Sequence, residues 1–328
     1  MKKWIAFVLA LAVTASFAGC GAKNDTASAA TDAAAEDAYK VGICQLVQHP
    51  ALDAATDGFQ AALKDALGEK VTFDLQNASG ETVNCATIIN GFVSNDVDLI
   101  MANATAPLQA AASATADIPV LGTSVTDYAS ALELDNWNGT VGTNVSGTSD
   151  LAPLDQQAAM VKELFPDAKT VGLLYCSAES NSQYQVDVMT KELEAMGLTC
   201  TPYSFTDTND VASVAQAACK SDVIFIPTDN TAAANTEAIA NVVLAEKVPV
   251  IASEAGICSG CGVATLSISY YDLGYKTGEM AAKILTGETK VNEMPVEFAG
   301  NPTKMYNEAN CETLGVAVPE GYAPLPVE

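Results

Sequence analysis

From Tyr39 onward, short apolar runs alternate with longer stretches in which apolar residues recur at helical spacing. The runs are rich in Val, Ile and Leu without polar alternation, which is typical of strands buried on both faces of a parallel sheet. The pattern predicts strands at residues 39–45, 71–75, 97–102, 118–125, 170–176, 198–205, 223–227 and 248–253. It predicts helices at residues 51–67, 82–94, 107–115, 153–164, 183–196, 210–219 and 231–246. Repeated strand–helix units predict doubly wound sheets with right-handed crossovers.

The units form two series, separated by a polar segment at residues 134–150 that has no clear periodicity. Two similar lobes of an α/β protein, each built on a doubly wound parallel sheet, are therefore expected. A further strand (262–269) and an amphipathic helix (270–288) fit a chain that returns to the first lobe. We predict lobe 1 at residues 39–146 plus about 270–300, lobe 2 at 147–269, and a C-terminal segment at 301–328 that contains a short helix.

The N-terminus has the pattern of a targeting segment. Lys2 and Lys3 precede an apolar run at residues 4–17, which is too short to span a membrane. The run ends in Ala-Gly-Cys20, which resembles a bacterial lipobox, although Phe17 replaces the usual aliphatic residue. We predict a signal peptide at residues 1–19, a lipid on Cys20 and a flexible tether at 20–38. The protein is then expected outside the cytoplasm, anchored to the outer face of the cell membrane; a plain secretory signal is the alternative.

Composition narrows the ligand class. The formal net charge is −25, and all fifteen basic residues are lysines. A nucleic-acid surface needs clustered basic residues, and arginine provides the usual fork for phosphate, so polyanions and nucleotides are disfavoured. The chain has one histidine and one CxxC pair, Cys258 and Cys261. A zinc site needs a second ligand pair, and GICSGCG is interpreted as a turn, so neither a metal, a cofactor nor redox chemistry is expected.

Polar residues gather where the predicted strands end. Ligands bind at the carboxyl ends of strands in open α/β sheets. Lobe 2 offers two acids there, Asp229 and Glu254, whereas lobe 1 offers mainly small hydroxyl residues. Hydroxyls and backbone N–H groups at helix N-termini bind a carboxylate without arginine, and a buried acid pairs with an ammonium group. An α-amino acid meets both demands. Each of these residues, taken alone, is also a common helix N-cap.

No enzyme signature was found: GxSxG, GxxxxGK[ST] and GxGxxG are all missing from the sequence. His49 and Cys44 lie on one strand-loop segment without an orienting partner, which disfavours a catalytic pair. We therefore expect a binding protein without catalytic residues. A cysteine-dependent extracytoplasmic enzyme is the alternative from a different class.

The chain resembles the ABC-transporter substrate-binding lipoproteins of the tryptophan/tyrosine-binding type. The resemblance is carried by GICQLVQHPALDAATDGFQAAL, LIMANATAPLQA, PVLGTSVTDYASA, NVSGTSDLAP, VGLLYCSAESNSQYQ, IFIPTDNTAAA and SISYYDLGYKTGEMAAKIL, in order over most of the chain. It implies a type I periplasmic-binding-protein fold with a three-crossing hinge. It also implies an aromatic or apolar amino acid between the lobes, and partnership with a membrane permease and its separate ATPase.

The resemblance implies that residues from both lobes line the ligand cleft. They are Gln45, His49, Thr105, Thr123, Ser124, Glu179, Asn181, Ser182, Asp229, Asn230 and Glu254. Cys176 and Ser269 depart from the family pattern, where asparagine and aspartate are usual, so the ligand need not be tryptophan. We expect a monomer that closes around an amino acid. A sensor lipoprotein for another small molecule, such as a sugar or nucleoside, is the alternative binding function.

Overall fold

The computed structural model describes residues 38–298 and 300–326. The predicted signal peptide, Cys20 and all but the last residue of the predicted tether lie outside the described residues. The strands are β1 (Tyr39–Gln45), β2 (Val71–Asn77), β3 (Leu99–Asn103), β4 (Val120–Val125), β5 (Val145–Ser149), β6 (Thr170–Cys176), β7 (Thr199–Phe205), β8 (Val223–Ile226), β9 (Val250–Ala252), β10 (Ala264–Ser267), β11 (Glu297–Phe298), β12 (Thr303–Tyr306) and β13 (Ala323–Pro324). The α-helices are α1 (Pro50–Leu67), α2 (Thr82–Ser94), α3 (Thr105–Ala114), α4 (Tyr128–Ala131), α5 (Leu154–Leu164), α6 (Ser180–Ala195), α7 (Val211–Ala218), α8 (Asn230–Ala233), α9 (Thr236–Val243), α10 (Ala255–Cys261), α11 (Tyr270–Leu285) and α12 (Glu308–Leu314).

The strands form two sheets. The six-stranded sheet has the order β11-β5-β4-β3-β1-β2, and the seven-stranded sheet has the order β13-β12-β10-β9-β8-β6-β7. Within the described residues, every strand pair is parallel except β10 with β12. The predicted α/β class is confirmed. We call the six-stranded sheet with its helices lobe 1 and the seven-stranded sheet with its helices lobe 2; the lobe boundaries given above stay a prediction.

Both sheets are doubly wound. The strand order reverses between β1 and β3 in lobe 1 and between β6 and β8 in lobe 2. Strands β3, β4 and β8 are buried along their whole length, as expected for strands with helices on both faces. A crevice opens at the carboxyl ends of strands beside each reversal, so each lobe offers one half of a ligand site.

Three connections run between the lobes. The chain passes from β5 into lobe 2 at residues 150–153, returns from β10 to α11 at residues 268–269, and crosses again between β11 and β12. This is the three-crossing hinge that the resemblance implied. The crossings are short, so the lobes are held close together while each keeps its own hydrophobic core.

The structure differs from the sequence interpretation at several places. Residues 134–150 are not wholly irregular, because they contain β5, whose small side chains give no hydrophobic signal. A Cβ atom at Gly147 would lie 2.0 Å from the carbonyl oxygen of Gly122, so only glycine allows β5 to pair so closely with β4. The predicted helix at 231–246 is divided into α8 and α9. The predicted C-terminal segment contributes β12 and β13 to the second sheet.

Helices α1 and α11 cross in lobe 1 at very short range. A Cβ atom at Gly274 would lie 1.9 Å from the carbonyl oxygen of Ala55, and one at Gly58 would lie 2.1 Å from that of Tyr271. Backbone therefore packs against backbone at this crossing. Because α11 starts at the second inter-lobe connection, the contact also fixes where that connection leaves lobe 1.

We predict that Gly274→Ala destabilises the protein by about 1–3 kcal/mol, since the added methyl group must push the two helix backbones apart. The matched control is Gly91→Ala in α2, where a Cβ atom would meet nothing within 4 Å. That change should stabilise the protein by about 0.5–1 kcal/mol through helix propensity. Urea denaturation of both variants measures the difference. Equal effects of the two substitutions would contradict the close crossing.

Candidate ligand-binding site

A small pocket lies between the lobes at the carboxyl ends of both sheets. Its volume is about 10 Å³, which is room for one water-sized group. Residues from both lobes and from α11 surround it. They are His49, Ala51, Leu52, Ser124, Thr126, Asp150, Asn181, Thr228, Asp229, Asn230, Ala233, Glu254 and Tyr270. We call this the central pocket.

One hydrogen bond in the central pocket joins the two lobes directly. His49, between β1 and α1, places its Nε2 atom 3.2 Å from Oδ1 of Asn230 at the start of α8. Burial lowers the pKa of His49, and the contact with Asn230 and the charges of Glu179 and Asp53 oppose that shift. The imidazole is therefore neutral at pH 7, and it links the lobes without placing a charge between them.

Both predicted acids line the central pocket, but both are also helix caps. Asp229 Oδ1 accepts from the backbone N–H of Ala232 at 2.8 Å, and its Oδ2 accepts from that of Cys176 at 2.6 Å. Glu254 accepts from the N–H groups of Gly256 and Ile257. Backbone N–H groups, from the capped helix in each case and also from the end of β6 for Asp229, thus engage both oxygens of each carboxyl group.

Burial dominates the titration of these acids. It raises the pKa of Asp229 to about 8, with a further contribution from the charge of Glu179. Burial likewise raises the pKa of Glu254 to about 7, against the opposing hydrogen bonds from the backbone of α10. The expectation that one of them pairs with a ligand ammonium group stays a prediction, and the geometry gives each of them a structural role as well.

Glu179 organises the lobe 2 side of the site. Its Oε2 accepts from the backbone N–H (3.0 Å) and side-chain amide (2.7 Å) of Asn230 and from the Asn181 amide (3.2 Å). Its Oε1 accepts from the backbone N–H and the hydroxyl of Thr231, both at 2.8 Å. A single carboxylate therefore holds the starts of α6 and α8 together and orients Asn230 toward His49.

A larger cavity of about 520 Å³ adjoins the central pocket, with which it shares Asn181 and Asn230. Of the predicted residues, Thr105 and Glu179 line it as well. Val47, Val83, Ala106 and Ala178 add small apolar surface. The volume lies within the range typical of small-molecule sites, which is about 300–1,000 Å³.

Three predicted residues lie behind the lining rather than on it. Gln45 is tied to α1, because its amide donates to Asp53 at 2.6 Å and its Oε1 accepts from Thr56 at 2.7 Å. Thr123 bonds to a strand neighbour, Thr148, and Ser182 is fully buried beside Asn181. Neither cavity includes them in its lining. A polar side chain at a strand end can form hydrogen bonds inside its own lobe instead of lining the cleft. Its position in the sequence does not distinguish these two roles.

Among the lining residues that the sequence did not single out, Asp150 and Tyr270 form a hydrogen-bonded pair. Asp150 follows β5, is 3% exposed, and accepts through Oδ2 a hydrogen bond of 2.8 Å from the hydroxyl of Tyr270, the first residue of α11. Burial raises the pKa of Asp150, while the nearby hydroxyl groups of Tyr270 and Thr126 oppose that shift. Asp150 was missed because β5 was not recognised as a strand. The short run VSGTSD, a small-residue strand followed by an acid, was the available signal.

Ser124 has an unusual backbone. Its φ of 54° is left-handed, and the pairing of β4 with β5 shifts register between Gly122 and Val125. This bulge turns Ser124 toward the central pocket. Local backbone strain of this kind occurs preferentially at functional sites.

The CxxC pair does not lie in a turn, as the sequence interpretation had it, but in α10, directly after β9. Glu254 caps this short helix, which compensates for its glycines. Cys258 and Cys261 are free thiols, almost completely buried, and burial raises the pKa of both. A buried thiol that resists ionisation packs as a small apolar side chain.

Two further features concern the described residues as a whole. No group of three or more His, Cys, Asp or Glu side chains in that part of the chain could hold a metal ion. In the same part of the chain, every helix is too short or too polar to cross a bilayer.

Comparison with known proteins identifies relatives along the whole described chain. Residues 40–326 match the family model for ABC transporter substrate binding proteins. A tyrosine-binding protein of Clostridioides difficile is 35% identical over 321 residues, which cover 95% of this chain and 92% of that protein. The solved structure of an ABC domain from Streptococcus pneumonia in complex with L-Trp is 32% identical, with a TM-score of 0.83 over 88% of this chain and 100% of that chain.

A ligand-free, open structure of a substrate-binding protein with adhesive properties from Clostridium difficile is 38% identical, with the same coverage of 88% and 100%. Its TM-score is only 0.67. A lower score at a higher identity indicates a different overall arrangement of the same fold. The hydrogen bond between His49 and Asn230, which joins the lobes here, fits that difference. The resemblance inferred from the sequence is confirmed.

We predict that the melting temperature of the ligand-free protein falls as the pH rises from 5 to 8. Asp150, Asp229 and Glu254 have a raised pKa in the folded protein. Their contribution to stability is complete below the pKa of the unfolded chain and is lost as the pH passes the folded pKa, about 7 for Glu254 and about 8 for Asp229. His49 has a lowered pKa, so its contribution to stability increases with pH. We expect the three acids together to outweigh this single group.

Thermal melts at constant ionic strength measure this slope. Asp150→Asn should flatten it, because the variant lacks one of the buried acids. Asp207→Asn, an exposed acid at the rim of the larger cavity, should leave the slope close to that of the unmodified protein. A melting temperature that rises steadily from pH 5 to pH 8 would show that these carboxyl groups do not control the acid–base behaviour of the fold.

Proposed function

Because the chain belongs to the family of ABC transporter substrate-binding proteins, we propose that it binds an α-amino acid with an aromatic or apolar side chain. The ligand lies between the two lobes and is passed to a membrane permease that a separate ATPase drives. Proteins of this family act outside the cytoplasm and are binding proteins rather than enzymes. The supporting observation is the acidic central pocket between the lobes, next to a cavity large enough for a side chain.

The relatives support the ligand class. One is named as a tyrosine-binding protein, and another was solved with L-Trp bound. Both are at least 32% identical to this chain and are covered almost completely by the match. At this level of sequence identity the fold is shared, and both names refer to an aromatic amino acid.

The charges around the two cavities support a zwitterionic ligand. Among the described residues that line them, none is a lysine, whereas several are acids. This lining therefore favours a cationic group at the central pocket. The ligand carboxylate then depends on hydroxyls and helix N-termini, and Thr105 offers both at the start of α3, which lines the larger cavity.

Closure follows from the position of the site. Both cavities take lining residues from lobe 1 and lobe 2, so a ligand gains its full set of contacts only when the lobes approach. The His49–Asn230 hydrogen bond adds a direct contact in that state. Ligand binding shifts the population toward the closed arrangement because it stabilises only that arrangement.

Attachment to the membrane is the remaining part of the proposal. A lipid on Cys20, followed by the tether at residues 20–38, holds the binding lobes near the outer face of the membrane, within reach of the permease. The monomer is the functional unit, since one chain supplies both halves of the site.

We predict that isothermal titration with the twenty amino acids gives heat with tyrosine, tryptophan or another apolar amino acid, at a Kd of about 1 μM or tighter, roughly −8 kcal/mol. The protein is unfolded, dialysed and refolded first, so that a ligand carried through purification does not mask the site. Absence of heat from all twenty, with binding of a sugar or nucleoside instead, would refute the amino-acid assignment.

We also predict that Cys20→Ala releases the protein from the membrane fraction of the producing cell and abolishes incorporation of a labelled fatty acid. The control is Cys219→Ala, a half-buried thiol in lobe 2, which should leave both properties unchanged. Retention of the Cys20→Ala protein on the membrane, with its label, would contradict lipidation at this residue.

A further inference from the structure

The central pocket contains an unusual concentration of unpaired polar atoms. Among the described residues, six buried side-chain nitrogen and oxygen atoms have no hydrogen-bond partner. Three of these line the central pocket: His49 Nδ1, Ser124 Oγ and Asp150 Oδ1. Each belongs to a side chain that is at least nine-tenths buried. Leaving such atoms unpaired costs about 1–3 kcal/mol each, so their collection in one pocket indicates a ligand group.

The hydrogen-bond network fixes His49 Nδ1 as an acceptor. The side-chain amide of Asn230 donates to Glu179 Oε2 at 2.7 Å, so Asn230 presents its Oδ1 to His49. The Nε2 atom of His49 must then carry the proton and donate it. In a neutral imidazole the other nitrogen has a free lone pair, and this atom is Nδ1. The pocket therefore holds one acceptor nitrogen, one hydroxyl and, when Asp150 is ionised, one carboxylate oxygen that only accepts.

Asp150 is held so that its free oxygen faces the pocket. Its Oδ2 accepts from Tyr270, and its backbone N–H donates to the carbonyl of Val125 at 3.2 Å. The first contact holds one carboxyl oxygen, and the second holds the backbone from which the side chain extends. Oδ1 is left without a partner, and Asp150 and Tyr270 lie at the first and second inter-lobe connections.

We propose that the central pocket binds the α-ammonium group of the ligand, with Asp150 Oδ1, His49 Nδ1 and Ser124 Oγ accepting its three N–H bonds. The inference rests on the proposed function, which it extends by naming the groups that select for an amino acid. An ammonium group matches the pocket in size, since the pocket holds one water-sized group. It also matches in chemistry, because it offers three donors and no acceptor.

The other acids of the pocket are less suited to this role. Asp229 and Glu254 already accept backbone N–H groups through both oxygens. They line the pocket without a free carboxyl oxygen, whereas Asp150 supplies the unpaired one. The remainder of the ligand extends past Asn181 and Asn230 into the larger cavity, which those residues also line.

The test measures the affinities of two ligands for the unmodified protein and for three variants. Isothermal titration first identifies the tightest-binding amino acid of the unmodified protein, and then measures the same molecule without its amino group (3-(4-hydroxyphenyl)propionate if the ligand is tyrosine). Asp150→Asn is nearly isosteric, and its side-chain oxygen still accepts from Tyr270, while its NH₂ group would face the ammonium group. A thermal melt confirms that the variant is folded. Asp57→Asn removes the same charge from the exposed face of α1, outside the lining of both cavities, and is the matched control.

The expected result is a loss of about 30-fold or more in affinity for the amino acid in Asp150→Asn, with less than about 3-fold loss for the deaminated analogue. Ser124→Ala should show the same selectivity at about 5-fold, since a neutral acceptor contributes less than a charged one. Asp57→Asn should leave both affinities within about 2-fold.

Equal losses for both ligands in Asp150→Asn would overturn the inference while the amino-acid function stands. Unchanged affinity for both ligands would do the same and would indicate that the pocket holds water only. If the unmodified protein binds none of the twenty amino acids, the proposed function and this inference fall together, and that outcome is recognised before any variant is made.

Discussion

Between the two sheets, three carboxyl groups, one imidazole and several hydroxyls are removed from water, and each of them needs a hydrogen-bond partner. The chain has no arginine with which to neutralise these acids. It satisfies them with backbone N–H groups at helix starts and with neutral amides and hydroxyls instead. The requirement to pair buried polar atoms therefore decides how the strand ends, the short helices and the inter-lobe connections are arranged.

On the lobe 2 side of the site, nearly all buried polar atoms have a hydrogen-bond partner. Glu179 gathers five donors at the starts of α6 and α8, and Asp229 and Glu254 each cap a short helix. These contacts orient Asn230 toward His49. The lobe 2 half is thus rigidly prepared before a ligand arrives, which lowers the ordering cost of binding.

Where lobe 1 meets the hinge, several buried polar atoms have no hydrogen-bond partner. Asp150 follows β5 and bonds to Tyr270 at the start of α11, so one hydrogen bond ties two of the three connections together. The close crossing of α1 and α11 in turn fixes α11 against lobe 1. A ligand group bound to Asp150 therefore acts directly on the segment about which the lobes move, and this connects recognition with closure.

The sequence by itself determined the alternation of strands and helices, the two-sheet α/β fold, the family, and the polar character of the strand ends. Apolar periodicity reports how each segment is buried, and that information is local. The sequence did not reveal β5, because a strand of small residues is recognisable only when Tyr128 and α11 pack over it. It also did not reveal that GICSGCG forms a helix, because the glycines of this segment favour a turn.

Only the tertiary structure decided which polar atoms remain available for a ligand. Gln45, Thr123 and Ser182 look like site residues in the sequence, yet neighbours within their own lobes engage them. Asp150 carried no signal of its own, and it gains its role from Tyr270, 120 residues further along the chain. Whether a buried oxygen is paired depends on donors that are remote in sequence, and folding alone brings those donors together.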